Sequence, residues 1–238
     1  MTAQSIFTMR AEMKILFKYP TRMRPNWFKK TLGIYYGLMD LDTEFEFVVS
    51  LNEDDKTMNN DSMRKFMDRI ANLSYFYGNH KNKIAACNAD IDLEKKWDIL
   101  VLVSDDMIPT KNFDKIIIES MTKYFPNTDG ALHFNDGFCG KDKTITFSVI
   151  GRKLYEKLGY VYHPDYKSFY CDNEFTDVVR KLNRVHYDDR VIVKHEWSGG
   201  GGSKDELYRM NTKLGSDDKD TYAKRKRLRF LNESIYLS

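Results

Sequence analysis

The sequence is poor in the residues that staple a small fold together. Its 238 residues include three cysteines, Cys87, Cys139 and Cys171. The number is odd and the spacings are wide. That sets aside a disulfide framework and a cysteine zinc cluster, and favours a reducing, intracellular setting. No run approaches the roughly 18 apolar residues of a membrane span. The first residues lack the apolar core of a secretory signal. A cytoplasmic protein with no integral membrane segment is expected. An excess of one charge is also missing, since 38 Lys and Arg against 35 Asp and Glu leave +3. So small a charge is a weak argument for a dedicated nucleic-acid binder. No glycine lies between Tyr19 and Arg24. A sugar-phosphate nucleotidyltransferase needs a glycine-rich phosphate loop after its first strand, so that class is discounted. No internal repeat is present.

What remains is a chain that is 42% hydrophobic and long enough for one fairly large α/β domain with a C-terminal extension. Residues 14–19 read as a strand ending at Pro20, and 27–39 as a helix with Pro25 near its start. A second strand follows at 45–51. Over 61–77, Met63, Phe66, Met67, Ile70 and Leu73 recur at steps of three and four, which predicts a helix capped by Asn60 or Asp61. Residues 83–88 read as a short strand. Residues 99–103 form a continuous apolar run, as in a strand buried on both faces. The second half is less regular: strands at 130–134 and 145–150, helices at 152–158 and 172–182, and a last strand at 190–195.

The β-α-β-α-β order predicts a mostly parallel sheet covered by helices, which binds ligands at the carboxyl ends of its strands. The domain plan is a catalytic unit over 1–197, with a nucleotide-binding half at about 14–110 and an acceptor half at about 111–197. A helical extension follows at 204–238. Between them, Ser198 to Ser203 has the composition of a designed flexible linker. We read it as an engineered segment replacing a longer loop, with a native glycine-rich loop as the alternative.

Several polar clusters carry chemistry. Asp105-Asp106 places two carboxylates at the end of a buried strand, an arrangement that a cation or hydrogen-bond donors relieve. Oxygen ligands of this kind suit Mg²⁺ or Mn²⁺. A solvated turn or a helix cap accounts for the pair equally well when it is read alone. His195 ends the last strand, where it completes a metal site or makes an ordinary edge hydrogen bond. Asp172 and Glu174 open a helix as cap and first-turn acid, and either also suits a general base. Thr21-Arg22-Met23-Arg24 puts two arginines at a strand end, suited to phosphate or a planar base. Lys204, Lys224 and Arg225 are candidates to neutralise a leaving diphosphate, or members of a charged exposed helix. The basic run from Lys224 to Arg229 also leaves peripheral membrane contact open.

In order and spacing, Tyr19 to Pro25, Asp54-Asp55, Lys83 to Asn88, Leu102 to Met107, Asp172 to Glu174 and His195 resemble the family 2-like glycosyltransferases of GT-A fold. The resemblance runs from about Lys14 to His195. It implies an inverting, metal-dependent transferase using a nucleotide-sugar donor, UDP-sugar by family habit. Pro20, Thr21, Arg22 and Asp54 or Asp55 would contact base and ribose, with Lys83 near the base. Asp105 would face ribose or sugar, Asp106 and His195 would bind Mn²⁺ or Mg²⁺, and Asp172 would be the base, with Glu174 second. Ser104 departs from the family's Asp-x-Asp motif. The acceptor is a saccharide or a hydroxylated base in DNA, and 129–137 is a plausible wall for it. A nucleotide-sugar-binding protein that has lost catalysis is the alternative.

Overall fold

The computed structural model describes residues 13–138, 140–196 and 205–230. Cys139, the Ser198 to Ser203 segment and Lys204 lie outside them. The elements run β1 (Ile15–Pro20), α1 (Pro25–Leu38), β2 (Phe45–Asn52), α2 (Asp61–Met67), β3 (Leu73–Gly78), α3 (Lys83–Asn88) and β4 (Ile99–Leu102). Then come β5 (Met107–Pro109), α4 (Phe113–Tyr124), β6 (Ala131–Phe134), β7 (Val149–Gly151), α5 (Arg152–Leu158), α6 (Cys171–Lys181), β8 (Val185–Asp188) and β9 (Val193–His195). Helices α7 (Glu206–Thr212) and α8 (Gly215–Arg227) form the C-terminal extension. Among the described residues no helix is long and apolar enough to cross a membrane.

Seven strands form one sheet in the order β3-β2-β1-β4-β7-β6-β8. All neighbours pair in parallel except across β7, which is antiparallel to both β4 and β6. The strand order reverses between β1 and β4. Such a switch point opens a crevice at the carboxyl ends of the strands, and the loops that leave β1 and β4 there carry Thr21 to Arg24 and Ser104 to Asp106. A second, two-stranded sheet joins β5 to β9, with Met107 opposite His195.

Alternation along the strands explains the two cores. Phe17, Phe47, Val49 and Val101 face α1, α2 and α4 through Phe28, Leu32, Met63, Phe113 and Ile117. Leu16, Val48, Leu100 and Leu102 face the other way, toward α3, α5 and α6 through Ile84, Leu154, Phe175 and Val179. Helix α1 begins at Pro25 and buries Phe28, Thr31, Leu32 and Tyr35, one stripe at helical spacing. Lys18 is the exception within β1. It is fully buried, its ammonium donates to Ser50 Oγ, and Asp90 lies 4.0 Å away. Burial lowers its pKa to about 8, against the pull of the Asp90 charge.

The sequence pattern fails at several places. The helix expected over 61–77 stops at Met67, Asn72 turns left-handed at φ 55, and Leu73–Gly78 is a strand. Residues 83–88 are a helix, not a strand, because Asn82 caps them by accepting from Ala85 N. Of 145–150 only the end is in β7, which is Val149–Gly151. The expected strand at 190–195 contracts to β9 and pairs outside the main sheet. Elements β5, α4 and β8 have no counterpart in the sequence reading.

Candidate active site

Asp105 and Asp106 are neighbours with opposite surroundings. Asp105 is buried, accepts from Tyr19 Oη at 2.9 Å and from Thr21 Oγ1 at 3.1 Å, and lies 4.0 Å from Arg24 Nη1. Burial pushes its pKa up to about 7, against hydrogen bonds from Tyr19 and Thr21 and the Arg24 charge. Its backbone carbonyl also accepts from Thr31 Oγ1 of α1. Asp105 therefore ties the β4 loop to β1 and α1, with its carboxylate turned inward.

Asp106 faces outward. Ser104 Oγ donates to its Oδ1, and His195 Nε2 stands 3.6 Å from its Oδ2. The pairing of β5 with β9 brings the two together, and Glu196 N donates to Asp106 O at 2.7 Å. On the far side of the imidazole, His195 Nδ1 is 3.7 Å from Asp136 Oδ2. Burial works against the imidazolium, yet the two carboxylates outweigh it and raise His195 to about 9. Burial also works against the Asp106 carboxylate, which His195 and Ser104 hold well below the usual range.

Asp172 sits in the first turn of α6, half-buried, with Oδ1 accepting from Asn173 N at 2.9 Å. Burial raises its pKa and the Lys83 ammonium opposes the rise. Lys83, the first residue of α3, is itself held above its ordinary value. Burial would lower it, and the acidic groups around it, Cys87, Cys171, Asp106 and Asp172, outweigh that. Thus one cation feels both Asp106 and Asp172.

No family model and no curated protein matches the chain, but solved structures do. The mannosyltransferase PcManGT from Pyrobaculum calidifontis, in complex with GDP-Man and Mn²⁺, matches with a TM-score of 0.61 at 15% identity, over 77% of this chain and 56% of that one. TarS 1–349 of S. aureus matches at 0.57 and 16% identity, over 77% of this chain and 60% of that one. Its complex with UDP-GlcNAc matches at 0.57 and 15%, over 76% and 58%. The fold is that of the GT-A glycosyltransferases. The chain spans less than two thirds of each of these structures.

Within this GT-A fold the remaining candidates separate. Arg22 forms a bidentate pair with Asp54 at 2.7 and 2.8 Å on an exposed edge beside the β1 loop. Asp55 is buried and accepts from Met23 N, Thr57 N and Thr57 Oγ1, so it latches one loop to the other. Pro20 ends β1 and Thr21 is buried beneath the loop. Glu174 and Arg225 meet each other. Arg225 grips Glu174 with bonds of 2.7 and 2.8 Å, and Tyr166 Oη donates to the same carboxylate at 2.7 Å. Their charges serve each other, and the pair lies largely buried between α6 and α8. Lys224 lies exposed on α8, and Lys204 falls outside the described residues.

Asp136 is the site residue that the sequence reading missed, taking it only as part of an acceptor wall. Its signal is an acid just past a strand end and just before Gly137, whose φ is +88. The donor set bears on a metal. Among the described residues no group of three or more His, Cys, Asp and Glu side chains forms a cage. Asp106 and His195 supply an oxygen and a nitrogen donor on facing sides. Two such donors fit Mn²⁺ or Mg²⁺ held jointly with a diphosphate, and do not fit a structural ion.

Proposed function

We propose that the chain is a glycosyltransferase that moves a sugar from a nucleoside diphosphate sugar, a UDP-sugar in the first instance, to an acceptor hydroxyl with inversion. The observation that carries this is the Asp106–His195 pair at the switch-point crevice. The GT-A fold supports it, and so do the nucleotide sugars bound by structures of that fold.

Each residue has a role. Thr21, Arg22 and Asp54 border the nucleoside, and Asp105 with Tyr19 fixes the loop between base and sugar. Asp106 and His195 would hold the divalent cation, which supplies charge stabilisation to the departing diphosphate. Lys83 adds a fixed positive charge beside it. Asp172, whose pKa burial raises above the ordinary carboxylate value, accepts the proton of the acceptor hydroxyl. The oxygen then bonds to the anomeric carbon, the bond to the diphosphate breaks, and the configuration inverts. The acceptor is a hydroxyl of a saccharide or of a hydroxylated base in DNA.

Heat stability with a panel of UDP- and GDP-sugars tests this, with and without Mn²⁺, on the intact protein and on Asp106→Ala. A ligand at a hundredfold excess over its Kd stabilises by about 2.7 kcal/mol. A Mn²⁺-dependent shift with one nucleotide sugar, lost in Asp106→Ala, is expected. Absence of any shift across the panel overturns the proposal.

A further inference from the structure

We infer that Asp136 is the positioning residue of His195, holding the imidazole so that Nε2 faces Asp106 and the cation of the donor site. The inference rests on the transferase reading above. Asp136 follows β6, and its side chain is only 3% exposed. Oδ1 accepts from Phe138 N at 2.9 Å. Oδ2 accepts from Thr146 Oγ1 and stands 3.7 Å from His195 Nδ1. The Asp136 carbonyl accepts from His195 N at 3.3 Å. The residue therefore meets His195 through both its backbone and its side chain, and is itself fixed from two further directions.

An imidazole that ligates a metal through one nitrogen needs a partner on the other. A carboxylate there sets the ring's orientation, assigns the N–H to the far nitrogen and strengthens the ligating one. The line Asp136–His195–Asp106 has this form: Nδ1 toward the buried carboxylate, Nε2 toward the half-exposed one. Thr146 on the approach to β7 supports Oδ2, so the arrangement draws on four separate segments of the chain.

Asp136→Asn isolates the effect. An asparagine keeps an acceptor for Phe138 N and a polar group for Thr146, but its amide N–H₂ meets the imidazole with a second donor. Mn²⁺ affinity, read by electron paramagnetic resonance of free Mn²⁺ with UDP and in parallel with GDP, is expected to fall about 10–100-fold. Nucleotide affinity without metal and the melting temperature stay near those of the intact chain. Thr146→Val leaves Asp136 in place and loosens it, and produces a smaller loss of the same sign. The double variant Asp136→Asn/His195→Ala is expected to lose no more Mn²⁺ affinity than His195→Ala alone, not the product of the two single losses. Unchanged Mn²⁺ binding in Asp136→Asn, with weakened binding in His195→Ala, overturns the positioning role and leaves the donor site standing. Unchanged binding in both His195→Ala and Asp106→Ala overturns the donor site and the inference with it.

Discussion

Arg24, in the loop that leaves β1, grips Asp205 with hydrogen bonds of 2.6 and 3.0 Å across 181 residues of chain. Asp205 is also the N-cap of α7, accepting from Tyr208 N at 2.8 Å. One carboxylate thus begins the C-terminal extension and ties it to the loop that Asp105 anchors.

Asp205→Ala removes a cap worth about 1 kcal/mol and an ion pair worth less, since both partners are partly exposed. Asp205→Asn keeps the cap and loses only the charge. Urea unfolding should rank the intact chain above Asp205→Asn and that above Asp205→Ala. Amide exchange at Tyr208 should speed up only in the alanine variant.

The Glu174–Arg225 pair is deeper, at 3% and 12% side-chain exposure. Removing one partner strands a buried charge, so Arg225→Met should cost about 3–5 kcal/mol in chemical denaturation. Glu174→Gln combined with Arg225→Met should recover part of that loss. Below the unfolding transition, Mn²⁺–UDP affinity should be unchanged in Arg225→Met. A tenfold loss would assign Arg225 to the diphosphate.

Asp172→Asn should lower kcat by about 10²–10⁴ while donor affinity stays within a few-fold, the mark of a group that acts in the proton transfer. Isothermal titration with the donor and initial-rate kinetics on the same sample make the comparison. Equal losses in affinity and rate would assign Asp172 to donor binding.

Lys18 makes a pH prediction. Its pKa is about 8 in the folded chain against 10.5 as the ordinary value. Between those values the unfolded chain binds more protons there, so this group's contribution to stability rises with pH. The cost of burying the ammonium is fully present below pH 8 and relieved by about pH 10.5. Unfolding free energies at pH 7, 8, 9 and 10 should show the intact chain gaining on Lys18→Met as pH climbs. A constant difference would contradict the burial argument.

Strands β1, β2 and β4 were legible because they are buried along most of their length, and the loops after them fall at fixed places in the order. Ile99 to Leu102 reads as a strand for that reason, and the acids after it follow from the strand's end. The stripe from Met63 to Leu73 misled because two short elements continued one period. Leu73, Tyr75 and Tyr77 pack on the same core as Met63 and Met67, but from a strand. Residues 83–88 misled for the opposite reason, being a single apolar helical flank too short to show its period. Their helical state was carried by Asn82 in front and the two alanines within.

In the candidate site, single residues were easier to single out than their partners. Asp106, His195 and Asp172 stand at element ends, where position along the chain hints at chemistry. That Glu174 is spent on Arg225, 51 residues away, depends on where α8 docks, and nothing local encodes it. Docking is visible in Asp218, buried and accepting from the backbone N–H of Lys167, Ser168 and Phe169 in the segment leading to α6.

The pairing of β5 with β9 has one last implication. Val193 is buried, Lys194 exposed, and His195 turned to Asp106, all within three residues. Side chains alternate along a strand, so sliding β9 by a single position would present a lysine or a glutamate where the imidazole stands. The identity of the group facing Asp106 is therefore a matter of phase, and changes of chain length within β9 are read by the site as substitutions.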